Sequence, residues 1–182
     1  MKAVATTGVT ITLLLFLSVR KPVSAAEKDA GPSEKVSKRL GEKTLAILKG
    51  ADRVEVFRLD NRLIEKVPEG VKKFGRFAIT AMGKEQGKEF AGKLAAVLMK
   101  DETYFGRALR CFEPGVGFRI WNGKESVDMT ICFGCSNFYV GGAYGEFGGS
   151  KGIYGQLAKL AKEAFPDDKE IQELPDKSRF EK

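Results

Sequence analysis

Alternation of apolar and polar side chains over residues 116–131 constrains this chain more than any other feature. Val116, Phe118 and Ile120 alternate with Gly117, Arg119 and Trp121, and Val127, Met129 and Ile131 alternate with Asp128 and Thr130. A period of two marks strands with one buried face. The Asn122-Gly123 pair could form a two-residue turn, but that register sets Ile120 against Glu125 and leaves an apolar partner unused. A loop over Asn122-Gly123-Lys124-Glu125 instead pairs Trp121 with Ser126, Ile120 with Val127, Phe118 with Met129 and Val116 with Ile131. Arg119 then meets Asp128 on the opposite face. Each such cross-strand pair contributes about 0.2–1 kcal/mol, so this register is the expected one.

The longer stretch from Cys111 to Val140, which contains this hairpin, carries the only Trp and all three cysteines of the chain. Extending the register past Pro114 brings Cys111, Cys132 and Cys135 to one end of the hairpin. In a straight strand Cys132 and Cys135 would stand about 10 Å apart, beyond the ~4.4–6.8 Å a disulfide spans. Bonding between them therefore requires a turn at Phe133-Gly134, which Gly134 permits because it lacks a Cβ. Pairing of Cys111 with Cys135 requires only neighbouring strands. The sequence leaves both open, with a slight preference for Cys132–Cys135.

The pattern Cys-Phe-x-Pro-Gly, a hairpin, then Ile-Cys-Phe-x-Cys resembles small exported bacterial proteins without an assigned function. The resemblance covers about residues 94–165. It implies a shared α+β domain with clustered cysteines and carries over no catalytic residue.

At the start of the chain, Lys2, an apolar run from Val9 to Val19 and the small residues of Val23-Ser24-Ala25-Ala26 read as a signal peptide over residues 1–26. Eleven helical residues reach only about 16 Å, short of the ~30 Å hydrocarbon core, so no stable membrane anchor is expected. The mature protein would then be periplasmic or secreted. Of 31 Lys and Arg, three (Lys2, Arg20 and Lys21) leave with the signal, so 28 basic face 24 acidic side chains and the net charge falls from +7 to +4. That mixed surface is no footprint for nucleic acid.

Residues 27–34, with Gly31-Pro32, read as a linker. The remaining periodicities predict helices over 35–49 and 85–100, and a third with the face Ile153, Leu157, Leu160, Ala161 and Ala164, capped by Ser150 and ended by Pro166. Strands are predicted around Val54–Val56, Phe77–Ile79, the central hairpin, and Phe138–Val140 with Tyr144–Phe147. The fold class is α+β: one antiparallel, hairpin-based sheet packed against about three helices in a single domain over 35–165. Residues 166–182 read as a charged, flexible tail.

The chain has no His, so the usual base of Ser-His-Asp and Cys-His nucleophile systems is missing. Scattered Asp and Glu read as solvated charge. A covalent haem would need His where Ser136 stands, and a thioredoxin-type centre would need a helix, not a strand, after Cys135. The run from Gly141 to Gly152 matches no phosphate-loop spacing and reads as tight turns. No catalytic residue and no cofactor is assigned, and the expectation leans away from an enzyme. In an oxidising compartment two of the three cysteines are expected to pair structurally.

Two functional readings follow. The first is a non-catalytic exported domain that binds a protein or envelope component, with Arg119, Trp121 and Thr130 on the uncovered sheet face as the candidate surface. The alternative is a thiol redox or metal-handling protein, in which Cys111, Cys132 and Cys135 exchange disulfides or hold zinc with a fourth ligand from Asp, Glu or water.

Overall fold

The computed structural model describes residues 31–60, 62 and 70–181. The signal peptide expected at 1–26 lies outside the described residues, as do residues 27–30 of the linker. The elements run α1 (Glu34–Lys49), β1 (Arg53–Leu59), β2 (Lys73–Phe74), β3 (Phe77–Met82), α2 (Lys88–Leu98), β4 (Val116–Asn122), β5 (Glu125–Cys132), β6 (Asn137–Val140), β7 (Ala143–Glu146), α3 (Ile153–Ala164) and α4 (Lys169–Gln172). All seven strands form one antiparallel sheet in the order β2-β3-β1-β4-β5-β6-β7. The fold is α+β, a single curled sheet packed with helices.

The β4–β5 register is the expected one: Val116 faces Ile131, Phe118 faces Met129, Ile120 faces Val127, Trp121 faces Ser126 and Arg119 faces Asp128. Pairing continues one step further than expected, to Asn122 and Glu125, so only Gly123-Lys124 remain in the turn. Gly123 takes φ 59°, which suits a glycine at the first central position of a two-residue hairpin turn.

One face of the sheet builds the main core. Val54, Val56, Val116, Phe118, Ile120, Met129, Ile131, Phe138 and Val140 are buried there with Leu40, Ile47 and Leu48 of α1, Leu94 and Leu98 of α2, and Leu157 and Leu160 of α3. Ser33 caps α1 by accepting from Val36 N at 3.3 Å. Gly41, at φ 75°, interrupts that helix. Ser150 does not cap α3 as expected: the N-cap is Gly152, and the Ser150 hydroxyl instead donates to Glu102 O at 2.6 Å. Proximity in sequence favoured Ser150, but two further residues are needed before the chain turns into the helix.

The other face is only partly open. The β2–β3 hairpin folds Phe74 and Phe77 over it, and with Phe57 and Leu59 they form a second, smaller core. Gly117 makes this approach possible, because a Cβ there would meet the Phe74 ring at 2.8 Å.

The segment after Pro166 differs from the flexible tail expected of its composition. Asp168 caps α4, Ile171 is buried, and Arg58 donates to Asp168 at 2.7 Å and to Glu170 at 2.6 Å. Ser178 is also buried. Docking rests on these isolated anchors and ion pairs instead of an apolar stripe, so hydropathy alone does not reveal it.

Candidate functional site

The three sulfurs meet at one end of the β4–β5 hairpin. After β5 the chain turns through residues 133–136 and returns as β6. Cys132 and Cys135, whose Cα atoms lie 5.3 Å apart, are joined by a disulfide. The turn does form, but its left-handed residue is Ser136, at φ 58°, rather than Gly134. Ser136 is the one non-glycine residue with positive φ among those described. A non-glycine side chain in this region carries strain of roughly 1–2 kcal/mol, and such positions gather at functional sites.

A second segment brings in Cys111. Arg107 bridges to Gly148, and Leu109 N donates to Cys135 O at 2.9 Å. The Asn137 side-chain amide donates to Leu109 O at 3.2 Å and to Cys111 O at 2.9 Å. Held in this way, Cys111 places its Sγ 2.8 Å from Cys135 Sγ. Cys132 and Cys135 are each 2% exposed, whereas Cys111 is partly open to solvent and unpaired. Cys132 Sγ accepts a hydrogen bond from Cys135 N at 3.1 Å. The Oδ1 of Asn137, a buried residue beside the cluster, has no hydrogen-bond partner among the described residues.

The arrangement can carry out thiol–disulfide exchange, for which a thiolate must reach one sulfur of a disulfide while the other leaves. In such an exchange Cys111 would be the nucleophile, Cys135 Sγ the attacked atom and Cys132 Sγ the leaving group. The Cys135 N–H favours the departing Cys132 thiolate, since a hydrogen bond to the charged form stabilises it. A zinc site fits less well. The disulfide takes two of the three thiolates, and among the described residues no group of three or more Cys, Asp or Glu side chains is placed to hold a metal ion.

The other candidate residues share the sheet face away from the helices but do not converge. Arg119 grips Asp128 through two hydrogen bonds of 2.7 and 3.0 Å and lies over the Phe57 and Phe74 rings. Its hydrogen bond to Asp128 holds the guanidinium above its ordinary pKa. Trp121 is covered by Arg53, whose guanidinium carbon sits 4.3 Å from the ring. Thr130 is half-buried between Gly117 and Tyr139. The exposed aromatic of this face is Tyr139, at 42% exposure among the described residues, with Phe112 edge-on at 4.9 Å and Tyr144 at 5.1 Å; Met82, opposite Phe57, is exposed on the same face. Alternation from Phe138 would have placed Tyr139 there. Nothing local in the sequence marks Asn137.

Fold and site together define an α+β domain with a three-sulfur centre at the end of its sheet. Compared with protein-family models, curated proteins and solved structures, the chain gives no match.

Proposed function

We propose that this protein is an exported domain that exchanges disulfides through Cys111, Cys132 and Cys135. The observation that carries the reading is the 2.8 Å approach of Cys111 Sγ to one sulfur of a disulfide that is itself closed to solvent. The Cys111 thiolate attacks Cys135 Sγ, the Cys132–Cys135 bond breaks, and its electron pair leaves on Cys132 Sγ. The proton lost by Cys111 is balanced by one taken up at Cys132. The new Cys111–Cys135 bond includes the partly exposed cysteine, so an outside thiol can attack Cys111, form a mixed disulfide and release Cys135 as a thiolate. The second thiol of a partner dithiol then attacks the partner's own sulfur in the mixed disulfide and displaces Cys111, leaving the partner oxidised and the protein reduced; a second, disulfide-bearing partner would have to reoxidise it.

The oxidised protein is expected to form a mixed disulfide at Cys111 with reduced glutathione, detected by peptide mapping after alkylation. Prolonged incubation that leaves Cys111 unmodified and the Cys132–Cys135 bond intact would reject exchange in favour of a purely structural disulfide.

Export is supported by the apolar run and small residues of 1–26, and a structural or reactive disulfide is compatible with an oxidising compartment. The mature chain is expected to begin at Ala26 or Glu27, which intact-mass measurement of the secreted protein reads directly. Retention of residues 1–26 in a membrane-bound form would remove the premise. A second reading, binding of a protein or envelope component, is favoured by exposed Tyr139 and its neighbours Phe112 and Tyr144, which border the segment bearing Cys111.

A further inference from the structure

Residues 176–181 lie as a strap against the 133–136 turn that the disulfide closes. Arg179 donates from Nη2 to Gly134 O, inside the disulfide turn, at 3.1 Å. The hydroxyl of Ser136, the left-handed residue that ends the turn, lies 3.4 Å from that of Ser178, and both serines are buried, at 1% and 4% exposure. Phe180 then packs on Gly148 and Gly149, where a Cβ on Gly148 would strike both its ring and Ser136. Glu181 accepts from Gly152 N at 2.8 Å, fastening the end of the strap to the start of α3. Beneath it, burial pushes the Tyr154 phenol up while the Arg179 charge opposes that shift.

We propose that this strap sets which pair of sulfurs holds the disulfide. The inference rests on the exchange reading and names its regulation. Arg179 and Ser178 grip Gly134 and Ser136, and the Cys132–Cys135 bond closes the turn that presents those groups. Transfer of the bond to Cys111–Cys135 releases Cys132 and removes that covalent closure. A docked strap therefore favours the buried disulfide and keeps Cys111 as the unpaired thiol. By linkage, moving the bond to Cys111 loosens the strap by the same factor. A partner that lifts residues 176–181 would make the exposed Cys111–Cys135 bond available. Arg179 and Ser178 act here as positioning residues, since neither touches a sulfur.

Two oxidised variants isolate the states: Cys111→Ser retains only the Cys132–Cys135 bond, and Cys132→Ser only Cys111–Cys135. Amide hydrogen exchange at Phe180 and Glu181 is expected to be about tenfold faster in Cys132→Ser, the loss of roughly one charge-assisted hydrogen bond. In the three-cysteine protein, maleimide labelling of the unpaired thiol is expected to move from Cys111 towards Cys132 by a similar factor in Arg179→Ala. Arg179→Lys, which can still donate to Gly134 O, should restore the original ratio. Arg179 is exposed, so its replacement leaves the core intact. Equal strap protection in the two trapped proteins, or a labelling ratio untouched by Arg179→Ala, overturns the strap proposal while exchange stands. Failure of Cys132→Ser to form a Cys111–Cys135 bond overturns the exchange reading, and the strap proposal falls with it.

Discussion

Replacing Phe118 by alanine is expected to destabilise the fold by about 3–5 kcal/mol, the usual cost of deleting a buried aromatic ring and leaving a cavity. Phe118 is 0% exposed, stands in the central strand β4, faces Met129 across the hairpin, and packs against Phe90 of α2 at 6.2 Å between ring centres. Its neighbours come from a sheet paired on both sides and a helix, so they cannot close the gap without moving the ladder. Thr130→Ala is the matched control on the opposite face of the same hairpin. Thr130 is half-buried and makes no side-chain hydrogen bond among those described, so its loss should cost well under about 1 kcal/mol. Urea unfolding of the two variants reads the contrast. Similar costs at both positions would contradict a fold in which only one face of β4–β5 carries the main core.

The sequence makes that hairpin legible because three apolar pairs and one ion pair agree on a single register, and a slip of one residue would turn every one of them to the wrong face. The register also sets Cys132 at the end of β5, but Cys111 lies outside the ladder, which begins at Val116, and is held by contacts of its own segment. What cannot be read this way depends on partners far along the chain. Arg58 lies on the helix-facing side of β1 and joins α4 through Asp168 and Glu170, more than a hundred residues away. No local period announces that bridge. Asn137 likewise looks like an ordinary strand-end polar residue, yet its amide holds the segment that carries Cys111. Gly134 attracts attention as the residue able to turn, while the left-handed conformation falls on Ser136, whose hydroxyl lies beside that of the buried Ser178. Binding and thiol chemistry thus stand side by side in the sequence. The sulfur geometry is what favours the second.

Cys111→Ser is expected to slow reduction of the Cys132–Cys135 bond by a soluble dithiol at least about a hundredfold. Both bonded cysteines are buried, at 2% exposure, so without Cys111 a reductant must await local opening of the 133–136 turn, which the strap and the Asn137 contacts oppose. With Cys111 present, a nucleophile already lies 2.8 Å from Cys135 Sγ. Well-oriented intramolecular groups act at effective concentrations up to about 10⁵ M or more, against the millimolar level of an added reagent, so a hundredfold loss is a modest share of the available advantage. Serine keeps the size of the side chain but its hydroxyl cannot take over the exchange. Because Cys111 is partly exposed and outside the main core, the substitution should change stability by less than about 1 kcal/mol, and urea unfolding separates that effect from the kinetic one. Time-resolved alkylation of Cys132 and Cys135 under dithiol gives the rate. Reduction at the same rate in both proteins would mean that the buried bond opens without help from Cys111, and the 2.8 Å contact would then be packing alone.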